Sequence, residues 1–229
     1  MVVNESRICV ILARSGSKRV PKKNLQLINK KTLIELAIDC CVANNIKTIV
    51  SSDSEEILDH VKNKSIILHK RSSLNSNDIT SSEQALVEVL EFFSIPETTE
   101  VLLIPPTSPL RKAEDLAYFI NQWEKVAKIN GYDQAFSVLA LQNDFWYLKD
   151  HKIERVRDVI FQKTEPRVTV KRKNIFLETS AIYLSYARLI YAGLSLVGSK
   201  PYPIELSKFA SIDIDSLVDL EIARKLMAE

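Results

Sequence analysis

The sequence predicts an α/β protein built on a largely parallel sheet. Through the first 140 residues, apolar runs of strand length alternate with helical patterns, the signature of βα units. Polar clusters follow these strand runs, where an open α/β sheet gathers ligands beyond the carboxyl ends of its strands. The 229 residues, 46% hydrophobic and 26% charged, suffice for one sizeable core, so a single domain is expected over 1–229 with one insertion.

Taken in order, Arg7 to Leu12 reads as a first strand buried on both faces. Thr32 to Val42 reads as a helix with Thr32 as its N-cap. Thr48 to Ser52 is a second strand, Ser54 to Val61 a helix entered through Asp53 and Ser54, and Ser65 to Leu68 a short third strand. Ser82 to Phe93 is an amphipathic helix and Glu100 to Ile104 the next strand. The prolines of Pro105-Pro-Thr-Ser-Pro109 remove ladder donors and force a loop. Lys112 to Ala127 reads as one long helix and Gln134 to Ala140 as a strand.

Beyond residue 140 the alternation stops. Phe145 to Leu148 and Ile153 to Val156 read as a hairpin turning at Lys149 to His151, and the segment to Lys173 is polar, basic and irregular. Residues 141–178 are therefore read as an insertion. Strand character returns at Ala181 to Leu184, followed by a short helix, Tyr186 to Ala192, and a closing amphipathic helix, Ser216 to Met227.

Several function classes find little support. No apolar run approaches the roughly 20 residues that span a bilayer, and the N-terminus lacks a signal-peptide pattern, so no membrane partner and a cytoplasmic location are expected. Cys9, Cys40 and Cys41 are odd in number, lack metal spacing and fall in the first strand and helix, which reads as core. His60, His69 and His151 are scattered without the spacing of a zinc site.

Charge is concentrated in one place. Arg14, Lys18, Arg19, Lys22, Lys23, Lys30 and Lys31 fall in a stretch without an acid; since the whole chain carries only +2, the remainder nets −5. One cationic loop on a mildly acidic body is poorly suited to nucleic acid, which needs a broad basic face, and suits a small polyanion better. The loop lacks the glycine spacing of both the Walker and the dinucleotide patterns, so it must rely on side-chain cations and hydroxyls. At about 4 Å and an effective dielectric near 20, each cation–phosphate pair is worth roughly 4 kcal/mol before desolvation. Gly16 and Pro21 are read as constraints that lower the entropy cost of closing on a ligand. The plain alternative is a solvated basic loop.

Near the C-terminus, Asp213-Ile-Asp215 places two carboxylates at alternate positions, which share a face in an extended segment. Such a pair suits Mg²⁺, which takes one or two carboxylates plus waters and phosphate oxygens; solvated aspartates are the alternative.

Together these segments resemble the CMP-sugar synthetases, the acylneuraminate cytidylyltransferases and their relatives. Ile11 to Asn24 is similar to the family's opening motif, Pro106-Thr-Ser-Pro-Leu-Arg111 to its second, and Arg71, Leu74 and Asp78 before Thr80-Ser-Ser82 to its base-binding stretch. Ser211 to Asp215 through Asp219-Leu220 resembles its closing metal motif. The resemblance implies a Rossmann-like nucleotidyltransferase fold, a three-layer sandwich with a mostly parallel central sheet, and makes 141–178 a dimerisation arm. It implies transfer of CMP from CTP to the anomeric hydroxyl of a nonulosonic acid, sialic acid first, with pseudaminic, legionaminic or 3-deoxy-octulosonic acid as alternatives. Arg14, Lys18 and Lys23 would neutralise the triphosphate, with Ala13, Ser15, Ser17 and Asn24 beside the nucleotide and Arg71, Ser81 and Ser82 bordering the cytosine. Asp213 and Asp215 would hold Mg²⁺, and Asp215 is the candidate to accept the sugar proton. Thr107, Ser108, Arg111 and, from the arm, Arg167 and Arg172 would face the sugar, and a homodimer is implied.

Four positions depart from the sialic-acid pattern and leave the sugar open: Arg19 stands where those enzymes have Gly, Pro105 where they have Gln, and Thr179-Ser180 where they have Asn-Gly. A metal-dependent glycosyltransferase using Asp213 and Asp215, and a non-catalytic RNA binder using the basic loop, are the competing readings.

Overall fold

In a computed structural model the described residues are 3, 5–72, 81–141, 146–150, 152–156, 175–198 and 200–228. The strands are β1 (Arg7–Leu12), β2 (Leu27–Ile28), β3 (Lys31–Thr32), β4 (Lys47–Ser52), β5 (Ile67–Lys70), β6 (Glu100–Leu103), β7 (Gln134–Leu141), β8 (Trp146–Lys149), β9 (Lys152–Arg155), β10 (Ile175–Tyr186) and β11 (Pro201–Glu205). The helices are α1 (Leu33–Ala43), α2 (Glu55–Val61), α3 (Ser82–Phe92), α4 (Ala113–Gln122), α5 (Ala187–Tyr191) and α6 (Leu217–Ala228).

Seven strands form one sheet in the order β11-β7-β10-β6-β1-β4-β5. Only β10 runs against its neighbours, so the sheet is mostly parallel, as expected. Apolar residues on one face pack against α1, α2 and α4, and those on the other against α3 and α5, which gives the three-layer sandwich. All three cysteines are buried and unpaired. No helix among the described residues is long and apolar enough to cross a membrane.

Local chemistry sets the helix starts. The Thr32 hydroxyl accepts from the Glu35 N–H while the Glu35 carboxylate accepts from the Thr32 N–H, a complete capping box at α1. Ser54 caps α2, and Ser81 with Gln84 repeats the capping box at α3. The expected long helix 112–127 is α4 followed by a π-helical turn, Trp123–Ala127, which carries the fully buried Trp123.

The differences from the sequence reading have physical causes. The third large-sheet strand begins later than expected because Ile66 N–H bonds back to the Lys64 carbonyl in a turn, and pairing with β4 starts only at Ile67. No strand was expected at β11; its Pro201 and Pro203 are tolerated because it lies at the sheet edge. β10 is far longer than Ala181 to Leu184 and begins inside the segment read as an insertion. Its pairing with β7 breaks between Glu178 and Tyr183. There the Ser137 hydroxyl accepts from Ile182 N–H at 2.9 Å and donates to the Thr179 carbonyl at 3.0 Å, standing in for the missing ladder bonds. The expected hairpin is present as β8 and β9, paired antiparallel.

Candidate active site

The polar clusters meet beyond the carboxyl ends of β1, β4, β5 and β6, and a small apolar cluster brings them together. Val20 from the basic loop, Ile28, Leu33, Ile214, Leu220 and Ala223 pack as one buried group, so the loop, the Asp213–Asp215 segment and α6 are fastened to each other. Ile214 lies inward between the two aspartates, and its peptide is a junction. Its N–H donates to the Thr107 carbonyl at 2.8 Å, and its carbonyl accepts from Lys23 Nζ at 2.8 Å. Segments around residues 23, 107 and 214 are thereby drawn to one point.

The charges at that point are incompletely matched. Asp215 pairs with Arg19 at 3.0 Å and with Lys23 at 3.8 Å. Burial pushes the Asp213 carboxyl above the usual carboxylate range; the charge of Asp215 adds to the shift, while hydrogen bonds from Thr107 and Ser180 and the charge of Lys23 oppose it. Among the described residues, none gives the buried Asp213 Oδ1 a hydrogen bond. Burial also lowers the Lys23 pKa, against the pull of Asp213 and Asp215. An orphaned carboxylate oxygen beside a second carboxylate fits a hard divalent cation, whose remaining positions water and phosphate oxygens would fill. Among the described residues no third His, Cys, Asp or Glu joins them.

On the nucleotide side, the Ser51 carbonyl accepts from Ala13 N–H at 2.9 Å and from the Arg71 guanidinium at 2.7 Å, while Ser51 Oγ accepts from Arg71 Nε at 3.2 Å and meets His69 Nδ1 at 3.0 Å. Arg71 is thus buried and fixed, with Arg14 and Asp53 near enough to influence its charge. Asp53 accepts from the Ser15 N–H at 2.8 Å and from Ser15 Oγ at 2.6 Å, and Lys22 pairs with Glu56 at 2.6 Å, so the basic loop is tied to the end of β4 and to α2. Arg14, Ser15 and Lys18 are exposed and Ser17 half-buried.

Other expected residues face the scaffold. Asn24 is buried and donates its amide to the Arg14 carbonyl at 2.9 Å, bracing the loop. Ser81 caps α3. Arg111 is buried and donates to the carbonyls of Ala181 at 2.6 Å and Pro105 at 3.2 Å, locking the proline loop to β10; Ser108 is buried beside it in that loop. Gly16 has no positive φ, and an added Cβ would meet nothing within 4 Å, so the expected constraint at this glycine is absent; the left-handed residue of the loop is Lys22, at φ 49°. Leu74, Asp78, Thr80, Arg167 and Arg172 lie outside the described residues.

A cavity of about 570 Å³ adjoins the aspartates. Thr107 and Ser180, both near enough to Asp213 to favour its charge, form the shared wall, and Ser82, Glu178, Tyr183 and Pro105 continue it. The β10 bulge sets the backbone of Glu178 to Tyr183 here, and Tyr183 OH donates to Glu178 Oε1 at 2.8 Å. The sequence reading assigned no role to Glu178 or Tyr183, named Ser180 only as a departure that leaves the sugar open, and named Asp53 only as the entry to a helix. Asp53 had a visible signal, its place just after a strand; the others depend on the bulge.

The chain is similar to known proteins over nearly its whole length. The profile of the family described as Cytidylyltransferase matches residues 8–227. The chain is 28% identical over 227 residues to the CMP-N,N'-diacetyllegionaminic acid synthase of Legionella pneumophila, covering 96% of this chain and 95% of that protein. It is 30% identical to N-acylneuraminate cytidylyltransferase A of Danio rerio and 25% identical to the N-acylneuraminate cytidylyltransferase of Streptococcus agalactiae, over 94% and 93% of this chain; it spans about half the length of those two relatives, 49% and 51%. Among solved structures, a CMP:2-keto-3-deoxy-manno-octonic acid synthetase complexed with CTP superposes with a TM-score of 0.67 at 15% identity, covering 98% of this chain and 99% of that one. The 4-diphosphocytidyl-2C-methyl-D-erythritol synthase of Anaerococcus prevotii gives a TM-score of 0.67 at 14% identity, covering 97% and 98%. At these identities the superpositions speak for the fold alone.

Proposed function

The chain belongs to the cytidylyltransferase family, in its CMP-sugar synthetase branch, and from that premise we propose that it transfers CMP from CTP to the anomeric hydroxyl of a nonulosonic acid, releasing pyrophosphate. The convergence at Ile214 carries this reading: one peptide joins the basic loop, the proline loop and the aspartate pair. Lys23, Arg14 and Lys18 neutralise the triphosphate, and Arg71 borders the base. The cavity beside Thr107 and Ser180 receives the sugar, next to Asp213. Asp215, at the same edge, takes the proton of the attacking hydroxyl.

Asp213 and Asp215 are the residues to hold Mg²⁺, which would supply charge stabilisation on the phosphate oxygens. The remaining chemistry is positioning. The exposed apolar side chains of the β8–β9 hairpin, Trp146, Leu148 and Ile153, support a homodimer in which that arm packs on a second copy. A glycosyltransferase would leave the basic loop without a task.

Sialic acid is the first candidate acceptor and N,N'-diacetyllegionaminic acid the strongest alternative, since the synthase of that sugar is similar over nearly its whole length. Pyrophosphate release from CTP and Mg²⁺ is to be measured with sialic, legionaminic, pseudaminic and octulosonic acids. Release that depends on one of them is expected; none from folded protein with any of them would sink the proposal.

A further inference from the structure

The sugar-side cavity has an unusual charge for an anionic acceptor. Its described lining holds two carboxylates, Glu83 and Glu178, and no lysine or arginine. Glu83 has a structural partner, the Leu196 N–H at 3.3 Å, which fastens the Ser195–Val197 edge of the cavity to α3. Glu178 is different. It stands at the β10 bulge, exposed, and among the described residues it accepts a hydrogen bond from Tyr183 OH. Burial and this carboxylate together raise the Tyr183 pKa, so the phenol keeps its proton and acts as the donor of the pair.

An ionised carboxylate only accepts, and its two oxygens offer about four lone-pair positions, of which Tyr183 takes one. Such a wall rewards a sugar group that donates. It also penalises the sugar's own carboxylate, because like charges in a partly enclosed site repel. With Asp213 near Thr107 and Ser180, a further carboxylate lies beside the cavity, so an acceptor is favoured that turns a donor toward the bulge and its carboxylate away from it.

We propose that Glu178 determines acceptor specificity, selecting a sugar acid that turns a hydrogen-bond donor, a hydroxyl or an acylamino N–H, toward the β10 bulge and keeping the sugar carboxylate off that wall. This rests on the synthetase reading above. A charge-assisted hydrogen bond lost at this position corresponds to a change of about 10- to 100-fold in sugar binding.

The test uses the full chain and its Glu178→Gln and Glu178→Ala variants. Glu178→Gln keeps an acceptor for Tyr183 and removes only the charge, and the exposed position leaves folding unaffected. KM and kcat are measured for CTP and for octulosonic acid, which offers hydroxyls only, sialic acid, with one acylamino group, and diacetylated legionaminic acid, with two. Sugar binding is followed in parallel by saturation-transfer NMR. For the sugar the wild type prefers, KM should rise about 10- to 100-fold with kcat and the CTP KM nearly unchanged, and the spread among the three sugars should narrow. The sugar that loses most identifies the donor as N–H or O–H. Variants that keep the wild-type sugar KM and selectivity would overturn the inference, reducing Glu178 to a partner of Tyr183, and leave the synthetase reading standing. A wild type that neither binds any of the sugars nor releases pyrophosphate with them would overturn both.

Discussion

At the amino end of the sheet Glu100 is surrounded: Arg7 Nε donates to it at 2.9 Å, Trp123 Nε1 at 3.0 Å and Lys128 Nζ at 2.8 Å, with Glu124 completing the network. At the carboxyl end Asp213 keeps a buried oxygen with no partner among the described residues and a second carboxylate, Asp215, beside it. Both regions use the same residue types on the same sheet. The Glu100 network matches every charge and its hydrogen bonds outweigh the cost of burial, which is how a fold retains a buried ion. The Asp213 oxygen is left unmatched, and under the proposed function this is where Mg²⁺ would be held.

Exchanging the charge at each end separates the two roles. Asp213→Asn is expected to lower pyrophosphate release roughly 10²- to 10³-fold, the scale of losing one preorganised charge-stabilising group. Its urea midpoint should match or exceed that of the wild type, because the amide removes a buried charge next to Asp215. A parallel loss of stability would make Asp213 a second Glu100. For Glu100→Gln the pattern reverses: about 2 kcal/mol of stability is lost, since the neutral amide no longer balances Arg7 and Lys128, which among the described residues keep only Glu124, while kcat/KM stays within about twofold. A large fall in turnover at unchanged stability would erase the contrast.

A smaller effect tests whether the basic loop is preorganised. Asp53 holds Ser15 through two hydrogen bonds and touches nothing at the sugar cavity. Asp53→Asn keeps one acceptor, so the CTP KM should rise about tenfold, worth about 1.4 kcal/mol, with the sugar KM unchanged. Equal increases for both substrates would show that Asp53 supports the whole site instead of the loop.

The sequence announced those parts of this molecule whose causes are local. The β1–α1–β4–α2 alternation, the Thr32 cap and the β8–β9 hairpin follow from periodicity and capping chemistry within a few residues of each feature. The clustering of Lys23 with Asp213 and Asp215 was legible only through the family's motifs, because the force that joins them is the packing of Val20 on Ile214, two apolar residues with no distinguishing local signal. Asn24, Ser81 and Arg111 sit within the right motifs, yet their side chains satisfy backbone groups, a use that becomes visible only when the partner carbonyl or N–H is in place. Glu178 was invisible for a related reason. Its setting is created by a bulge in which Ser137, 41 positions earlier, replaces the ladder bonds.

Acidification offers the finest test of the contrast between the two ends. Burial disfavours ionisation of Glu100, but the hydrogen bonds from Lys128 and Trp123 and the charge of Arg7 outweigh it and hold the carboxyl below its ordinary range. The unfolded chain therefore takes up this proton more readily than the folded one. The stability that Glu100 supplies is fully present above the unfolded value of about 4.3 and is lost as the pH falls from there through the lower folded value. Urea midpoints of wild type and Glu100→Gln should consequently lie furthest apart at pH 7 and converge below about pH 4, by a fraction of the neutral-pH gap. Other carboxylates titrate in both proteins and cancel in the difference. A gap that stays constant to pH 3 would assign the worth of Glu100 to the shape of its hydrogen bonds, and the matched charge at the amino end would no longer be what distinguishes it from Asp213.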